Sequence, residues 1–453
     1  MKIVHYYHKI HLLCCSMIVL FLTTCVKERA PELGTITLEV HVAFDKSYGY
    51  PASATTRGYM VELHNLLNNE IDSVAVGTDG IARFDFVSNG KYNIQVAREF
   101  SPKAYEEVFG DRVEDPVTFN AAEIGVKLRS VSPVQQVHLK LRKATPGEWV
   151  IKQLYYAGSD LYNAAALRDN FFEIYNNSDK VLYADSLCMM FVYGRMSTTY
   201  RAADKLLETG QFDWTKAVGT EPPTANANED YLYAQAIYMF PGTGKTYPVQ
   251  PGQSLVVARS AINHKAPFTN KAGKTYQVNR PDLTVDLSQA DFEVITTPYL
   301  EEGEYESLID IPTPGKTSLI VLQKFAKTMM MDNIGRIGYA LFKTNEDIKS
   351  WPKYAEVKET TIEGKTLYTR VPKKYIIDAV ETQPNTEDRR LPKKLSSELD
   401  AGFTFVPLGS YSSQAVIRKV KEVRNGRRIL QDTNNSTNDF EVIRPAVPGG
   451  FKE

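Results

Sequence analysis

Gly-Lys-Thr occurs four times in the chain, and at 242–246 it is extended to GTGKT, the closing letters of a phosphate-binding loop. Such a loop requires Gly-x-x-x-x-Gly-Lys-Ser/Thr between a strand and a helix. Its backbone N–H groups and the helix N-terminus then hold the phosphates. Five positions before Gly244 stands Met239, not Gly, and the same test at the other three copies finds Phe268, Asp310 and Glu359. Pro248 and Pro251 follow, where a helix would have to open. A tripeptide that recurs between strand-like segments is turn vocabulary, with Gly supplying the positive φ. No nucleotide is expected.

The other chemistry-bearing residues are as sparse. His5, His8 and His11 fall in an apolar leader, and His41, His64, His138 and His264 are scattered, with no HExxH and no cysteine pair for zinc. The stretch Asp432 to Glu441, DTNNSTNDFE, offers oxygens at Asp432, Asn434 and Asp439 as a candidate calcium loop. An EF-type loop, however, has Gly at its sixth position and Glu at its twelfth, and here those are Thr437 and Ile443. A side-chain-capped turn is the expected reading, with no metal and no cofactor. No Gly-x-Ser-x-Gly elbow is present, and no Cys suits a Cys–His pair. Two carboxylates facing across a cleft could still hydrolyse a glycoside. Glu173, set among Phe172, Ile174 and Tyr175, is the first acid to examine.

Composition narrows the partners. Charged residues make up 24% of the chain and the net charge is −1, so no basic field is available to hold nucleic acid. Aromatic residues make up 11%, led by 26 Tyr, a bias that leans towards sheet. Leu12 to Leu22 is an apolar run of signal-peptide length, preceded by Lys2 and Lys9. It ends in Leu22-Thr23-Thr24-Cys25, which resembles the bacterial lipobox, with Thr24 where Gly, Ala or Ser is usual. That resemblance implies cleavage before Cys25 and its lipidation, hence a membrane partner through a lipid anchor. Of the four cysteines, Cys14 and Cys15 would be lost with residues 1–24, leaving Cys188 without a disulfide partner and expected in the core. The tether over 25–34 carries Lys27 and Glu28, a pair similar to a surface-export address of Bacteroidetes lipoproteins. Asp72-Ser73-Val74 and Asp185-Ser186-Leu187 resemble the short O-glycosylation acceptor of that phylum, marking Ser73 and Ser186.

The elements that would carry these residues are strands. In TITLEVHVAF, Ile36, Leu38, Val40, Val42 and Phe44 alternate with polar residues, a period of two. Asp79-Gly80 and Asn89-Gly90 are turn pairs between further alternating runs. TDGIARFDFV and GKYNIQV resemble transthyretin-like or carboxypeptidase-regulatory-like modules, implying a β-sandwich over 35–142 that spaces or docks. KATPGEW breaks the pattern, giving a linker at 143–148. FFEIYNNSD, VQPGQSLVVA and DTNNSTNDFEV are similar to the lamin-tail domain, an immunoglobulin-like β-sandwich. YMFPGTGKTYPVQPGQSLVVARSAINH, DLSQADFEVI and RRILQDTNNSTNDFE together resemble an uncharacterised family of Bacteroidetes lipoproteins, a domain of unknown function, over about 149–446.

The expected architecture is therefore all-β: two β-sandwich domains in tandem, then a tail at 447–453. A partly helical insertion is expected at about 201–246, because RAADKLLETG reads as a short helix stopped by Gly210. The expected function is non-catalytic: an outer-membrane lipoprotein, periplasmic or surface-facing, that binds an envelope protein or a nutrient. The family resemblance implies service to a TonB-dependent transporter. A surface hydrolase with a carboxylate pair, or a spacer or adhesin subunit, are the alternatives.

Overall fold

The computed structural model describes residues 35–45, 49–51, 54–68, 70–113, 116–143 and 147–452. The expected signal segment, Cys25 and the expected tether lie outside them. Strands dominate throughout, and the all-β expectation is met. No helix among the described residues is long and apolar enough to cross a membrane.

The first unit has seven strands: β1 (Thr35–Phe44), β2 (Met60–Asn65), β3 (Ile71–Ala75), β4 (Ile81–Ser88), β5 (Gly90–Phe100), β6 (Val117–Leu128) and β7 (Val134–Lys143). They hydrogen-bond in the order β3-β2-β5-β6-β7-β1-β4. In β1 the alternation works as expected: Ile36, Leu38, Val40 and Val42 are buried and their neighbours are not. β7 runs parallel to β1 along eight residue pairs but touches β6 only at Phe119↔Lys143 and Asn120↔Arg142. The strand path thus turns a corner there, and the two halves close over one core that includes Leu38, Val61, Phe84, Ile94 and Phe119. Each such side chain, fully buried, contributes about 1.5–3 kcal/mol of hydrophobic transfer energy. A helix the sequence reading did not anticipate, α1 (Pro102–Phe109), covers the core edge. Ser101 caps it by accepting from the Ala104 N–H at 3.3 Å, and Pro102 opens it. Gly110, at φ 85°, ends it. Tyr105 and Phe109 stack towards Phe119.

The second unit packs two large sheets face to face. One runs Thr317–Ser318, Phe292–Glu293, Ser254–Ala258, β9 (Phe171–Asn176), β8 (Trp149–Tyr155), Ala415–Arg418, Phe440–Ile443. The other runs Lys353–Tyr354, Tyr368–Pro372, Tyr231–Met239, Leu187–Val192, Gly338–Lys343, Ile376–Glu381, with Ile320–Gln323 beside Tyr231–Met239. Between them lie Ile151, Phe172, Ile174, Met189, Phe191, Tyr339 and Val416, all buried. Both outer faces are covered too. Val285, Leu287 and Ala290 lie over one sheet, and Ile348, Trp351 and Leu395 over the other. This is why strands such as β8, β9 and Leu187–Val192 are buried at every position rather than alternating. Cys188 sits in this second layer, fully buried, and burial pushes its thiol pKa up.

The expected insertion needs correction on two points. Tyr231–Met239, placed inside it, is an inner strand of the second sheet, pairing with Leu187–Val192 over Ala234–Met239 and with Tyr368–Pro372 over Tyr231–Ala234. The expected helix is only a 3₁₀ turn at Ala203–Lys205, joined by a second at Trp214–Lys216. Propensity lost because Phe212 and Trp214 are drawn into an aromatic cluster with Tyr193, Tyr233 and Tyr368, which holds the segment extended.

The two units meet directly. Arg142 pairs with Asp45 at 2.8 Å in its own unit and with Glu398 in the other. Asn120 donates to the Thr433 carbonyl, and Lys421 pairs with Glu99 at 3.1 Å.

Candidate functional site

The GTGKT segment does cradle an anion, but the anion is the chain's own. Asp185 Oδ1 accepts from the Gly244 and Thr246 N–H groups at 2.9 and 2.8 Å, and Oδ2 accepts from Tyr247 at 2.8 Å. Gly242, at φ 122°, allows the close approach: a Cβ there would lie 2.1 Å from Asp185 Oδ1. Burial acts to raise the Asp185 pKa, yet the Tyr247, Thr246 and Gly244 N–H groups outweigh it and hold the carboxyl below the usual carboxylate range. The three N–H groups a phosphate would need are therefore already engaged.

The calcium candidates are placed just as definitely. Arg418 donates from Nη1 to Asp432 at 3.0 Å and from Nη2 to both Asp378 oxygens at 3.0 and 2.8 Å, with Asp439 at 3.5 Å. Asp432 and Asp439 thus meet around a guanidinium. Asn434 turns its amide to the Glu398 carbonyl at 3.2 Å instead. Asn435 caps the short helix α2 (Ser436–Asp439) by accepting from the Thr437 N–H at 3.1 Å. Among the described residues, no group of three or more His, Cys, Asp or Glu is arranged to hold a metal.

Glu173 is fully buried on β9 and paired rather than open. Lys152 Nζ donates to Glu173 Oε1 at 2.6 Å and to Ser254 Oγ at 3.0 Å, while Gln153 donates to Oε2 at 3.1 Å. A β-bulge between Ile151 and Gln153 brings Lys152 and Gln153 to the same carboxylate. The Phe451 ring closes over Lys152 Nζ, 3.8 Å from its centroid. Burial lowers the Lys152 pKa, and Glu173 acts against that shift. The expected outcome for Lys152→Met is a loss of about 3–5 kcal/mol, because Glu173 is left buried and unpaired. Lys152→Met with Glu173→Gln should recover most of it. Urea unfolding of the single and double variants measures the difference, and equal losses in both would disprove the pairing.

The glycosylation candidates differ. Ser73 is exposed on β3, an edge strand. Ser186 is half-buried at φ 60°, between Asp185 and the core strand. His41 and His138 stack on neighbouring strands, with ring centroids 4.7 Å apart, and His264 is buried with Nε2 3.0 Å from the Ser260 carbonyl.

One open cleft, of about 840 Å³, lies where the two units face each other. One wall comes from β5 and β6, with Lys91, Asn93, Glu123 and Lys127. The opposite wall comes from the aromatic segment after Leu187–Val192, with Tyr193, Arg195, Phe212 and Trp214, and from the loop that carries Arg390, Lys393 and Lys394. Trp214 stacks on Tyr233 and Tyr193 on Tyr368, each pair at 3.7 Å, so this wall is rigid. Lys373 completes a set of seven cations against three carboxylates, Glu123, Glu208 and Asp388. Burial lowers the Lys91, Lys373 and Lys394 pKa values, that of Lys373 to about 8. Lys394 is enclosed: its side chain is 2% exposed and its amine, 3.6 Å from Glu381, has no hydrogen-bond partner among the described residues. Gly194 makes room for it, since a Cβ there would lie 2.7 Å from Lys394 Cγ. The sequence reading missed this cleft. Its one linear trace is RRLPKK at 389–394; Lys91 and Lys127 carry no motif.

Among curated proteins, none matches the chain. Of solved structures, it is similar to a DUF4876 family protein from Bacteroides thetaiotaomicron, at 21% identity over 90% of this chain and 94% of that one, with a TM-score of 0.49. It is also similar to a candidate adhesin from Bacteroides ovatus, at 8% identity over 75% and 83% of the two chains, with a TM-score of 0.19. A candidate carbohydrate-binding protein from Bacteroides uniformis is 7% identical over 77% of this chain and 99% of that one, with a TM-score of 0.16. Residues 250–447, which supply the Arg390–Lys394 wall of the cleft, match the model of the DUF4876 family, described as a protein of unknown function.

Proposed function

We propose that this protein is a non-catalytic, lipid-anchored binding protein of the outer membrane, acylated at Cys25, with the cleft between its units as its ligand site. In this reading it delivers a ligand to, or docks on, an envelope partner such as a TonB-dependent transporter. The observation that carries the reading is the cleft itself. At about 840 Å³ it lies within the range of small-molecule sites, and both units contribute its polar and aromatic lining. Its non-catalytic character is supported by the engagement of the acids that sequence singled out: Glu173 with Lys152, and Asp432 and Asp439 with Arg418. A lamin-tail-like second unit is supported by the adjacency of its motif stretches. Phe171–Asn176, Ser254–Ala258 and Phe440–Ile443 all lie in one sheet. A spacer role would need no such cleft.

Cys25→Ala should move the protein from the membrane to the soluble fraction, and its retention in the membrane would end the anchor assignment. Pull-down of the wild-type lipoprotein from detergent-solubilised membranes should recover an integral outer-membrane protein. Recovery of the bait alone would remove the transporter role.

A further inference from the structure

We propose that the cleft is an anion site, taking a small carboxylate- or sulfate-bearing polyanion that Lys91 and Lys127 hold from one unit and Arg390 from the other. This inference rests on the cleft being the ligand site and names the ligand's chemistry. Lys91 and Lys127 are direct cross-strand partners on antiparallel β5 and β6. Like charges directly opposite one another destabilise a sheet. Among the described residues neither lysine has a carboxylate in ion-pair contact, although Glu387 is the largest single charge influence on Lys91, ahead of Lys127 and Arg390. Arg390 adds a third positive charge from across the cleft, and its repulsion is felt at Lys91. Its guanidinium is braced on Phe403 and Phe405, 4.9 and 5.0 Å from the ring centroids, and its Nε has no hydrogen-bond partner among the described residues. An unmet donor on an immobilised guanidinium is a preorganised oxyanion contact.

A second observation points the same way. The Lys394 amine is enclosed and lacks a hydrogen-bond partner. Its neighbour Glu381 is already supplied with donors: the N–H groups of Lys394 and Leu395 and the Gln383 amide. The amine keeps Glu381 as its ion-pair partner at 3.6 Å, a contact that leaves its hydrogen-bonding capacity unused. Seven cations lining one cleft, two of them with an unmet donor among the described residues, suit a ligand carrying at least two negative groups.

The test uses the full-length lipoprotein in neutral detergent at low salt, with calorimetric titration and Trp214 fluorescence as readouts. The probes are citrate, inorganic sulfate, a galacturonic acid trisaccharide and neutral maltotriose. At least one of the three anions should bind, with affinity falling as salt rises, while maltotriose should not. Citrate against the acidic trisaccharide separates a free carboxylate ligand from a sugar-borne one, and sulfate separates the oxyanion class. Lys91→Gln and Lys127→Gln should each raise the melting temperature of the ligand-free protein by relieving repulsion. Each should also weaken anion binding about tenfold, the order of one charge-assisted contact. This opposed pair of effects is one that a purely structural lysine would not produce. Maltotriose binding as tightly as the acidic trisaccharide would overturn the anion assignment and leave the cleft as the ligand site. Binding of an anion that neither variant weakens would place the anion elsewhere and overturn both. No binding of any anion would overturn the assignment outright.

Discussion

Arg418→Met should lower the unfolding free energy by about 3–5 kcal/mol. The methionine fills the volume but leaves Asp378, Asp432 and Asp439, all buried, around a site with no positive charge. Two further contacts go with the guanidinium: Nε donates to the Ile151 carbonyl at 2.9 Å and Nη1 to the Gln431 carbonyl at 3.0 Å. The effect should depend on pH. Burial raises the Asp378 and Asp439 pKa values in the folded protein, with Arg418 pulling them back down and Asp432 pushing them further up. A carboxyl whose folded pKa lies above its unfolded value of about 4 contributes stability that is complete below that value. That contribution is lost as pH rises through the folded value. In the wild type this window runs upward from about pH 4 towards neutrality. Without Arg418 the folded values climb further, so the window extends upward and the deficit should be larger at pH 8 than at pH 5. Urea unfolding of both proteins at the two pH values measures this. A deficit that does not change with pH would mean the carboxyls are not titrating together around this residue.

Asp185→Ala should cost about 3 kcal/mol, since three N–H groups of the Gly244–Tyr247 loop lose their acceptor at once. Asp185→Asn, which keeps one oxygen, should cost less. The pH profile here has the opposite sign to the Arg418 cluster. A depressed folded pKa contributes stability that is present above the unfolded value of about 4 and is lost as pH falls below it. The wild type should therefore shed this contribution under strong acid, and Asp185→Ala should have none to shed. Thermal melts between pH 2 and 7 of the two proteins test this. Converging curves at low pH are the expected outcome, and parallel curves would show that the loop is held by something else.

How far such features can be read along the chain depends on their range. β1 was legible because its partners impose a period of two that any window shows: Ile36, Leu38, Val40 and Val42 inward, Thr37, Glu39 and His41 outward. The Asp432–Glu441 turn was legible because its cap is local, Asn435 to Thr437. Tyr231–Met239 is buried on both faces and so carries no alternation by which the sequence could mark it as a strand. The 3₁₀ turn at Ala203–Lys205 was overread as a helix because the aromatic cluster that unwinds it is built from residues more than a hundred positions apart, Tyr193 to Tyr368 among them.

The sequence by itself determined the class of fold and the expectation of a capped turn at 432–441. Each of these rests on residue types within a few positions of one another. Only the tertiary structure decided which acid fills the GTGKT cradle, which cation answers Asp432 and Asp439, and that Lys91, Lys127 and Arg390 look into one cleft. The physical reason is that burial and charge pairing depend on distance in space. Residues 91 and 390 have no relation along the chain until the sheets bring their strands and loops together.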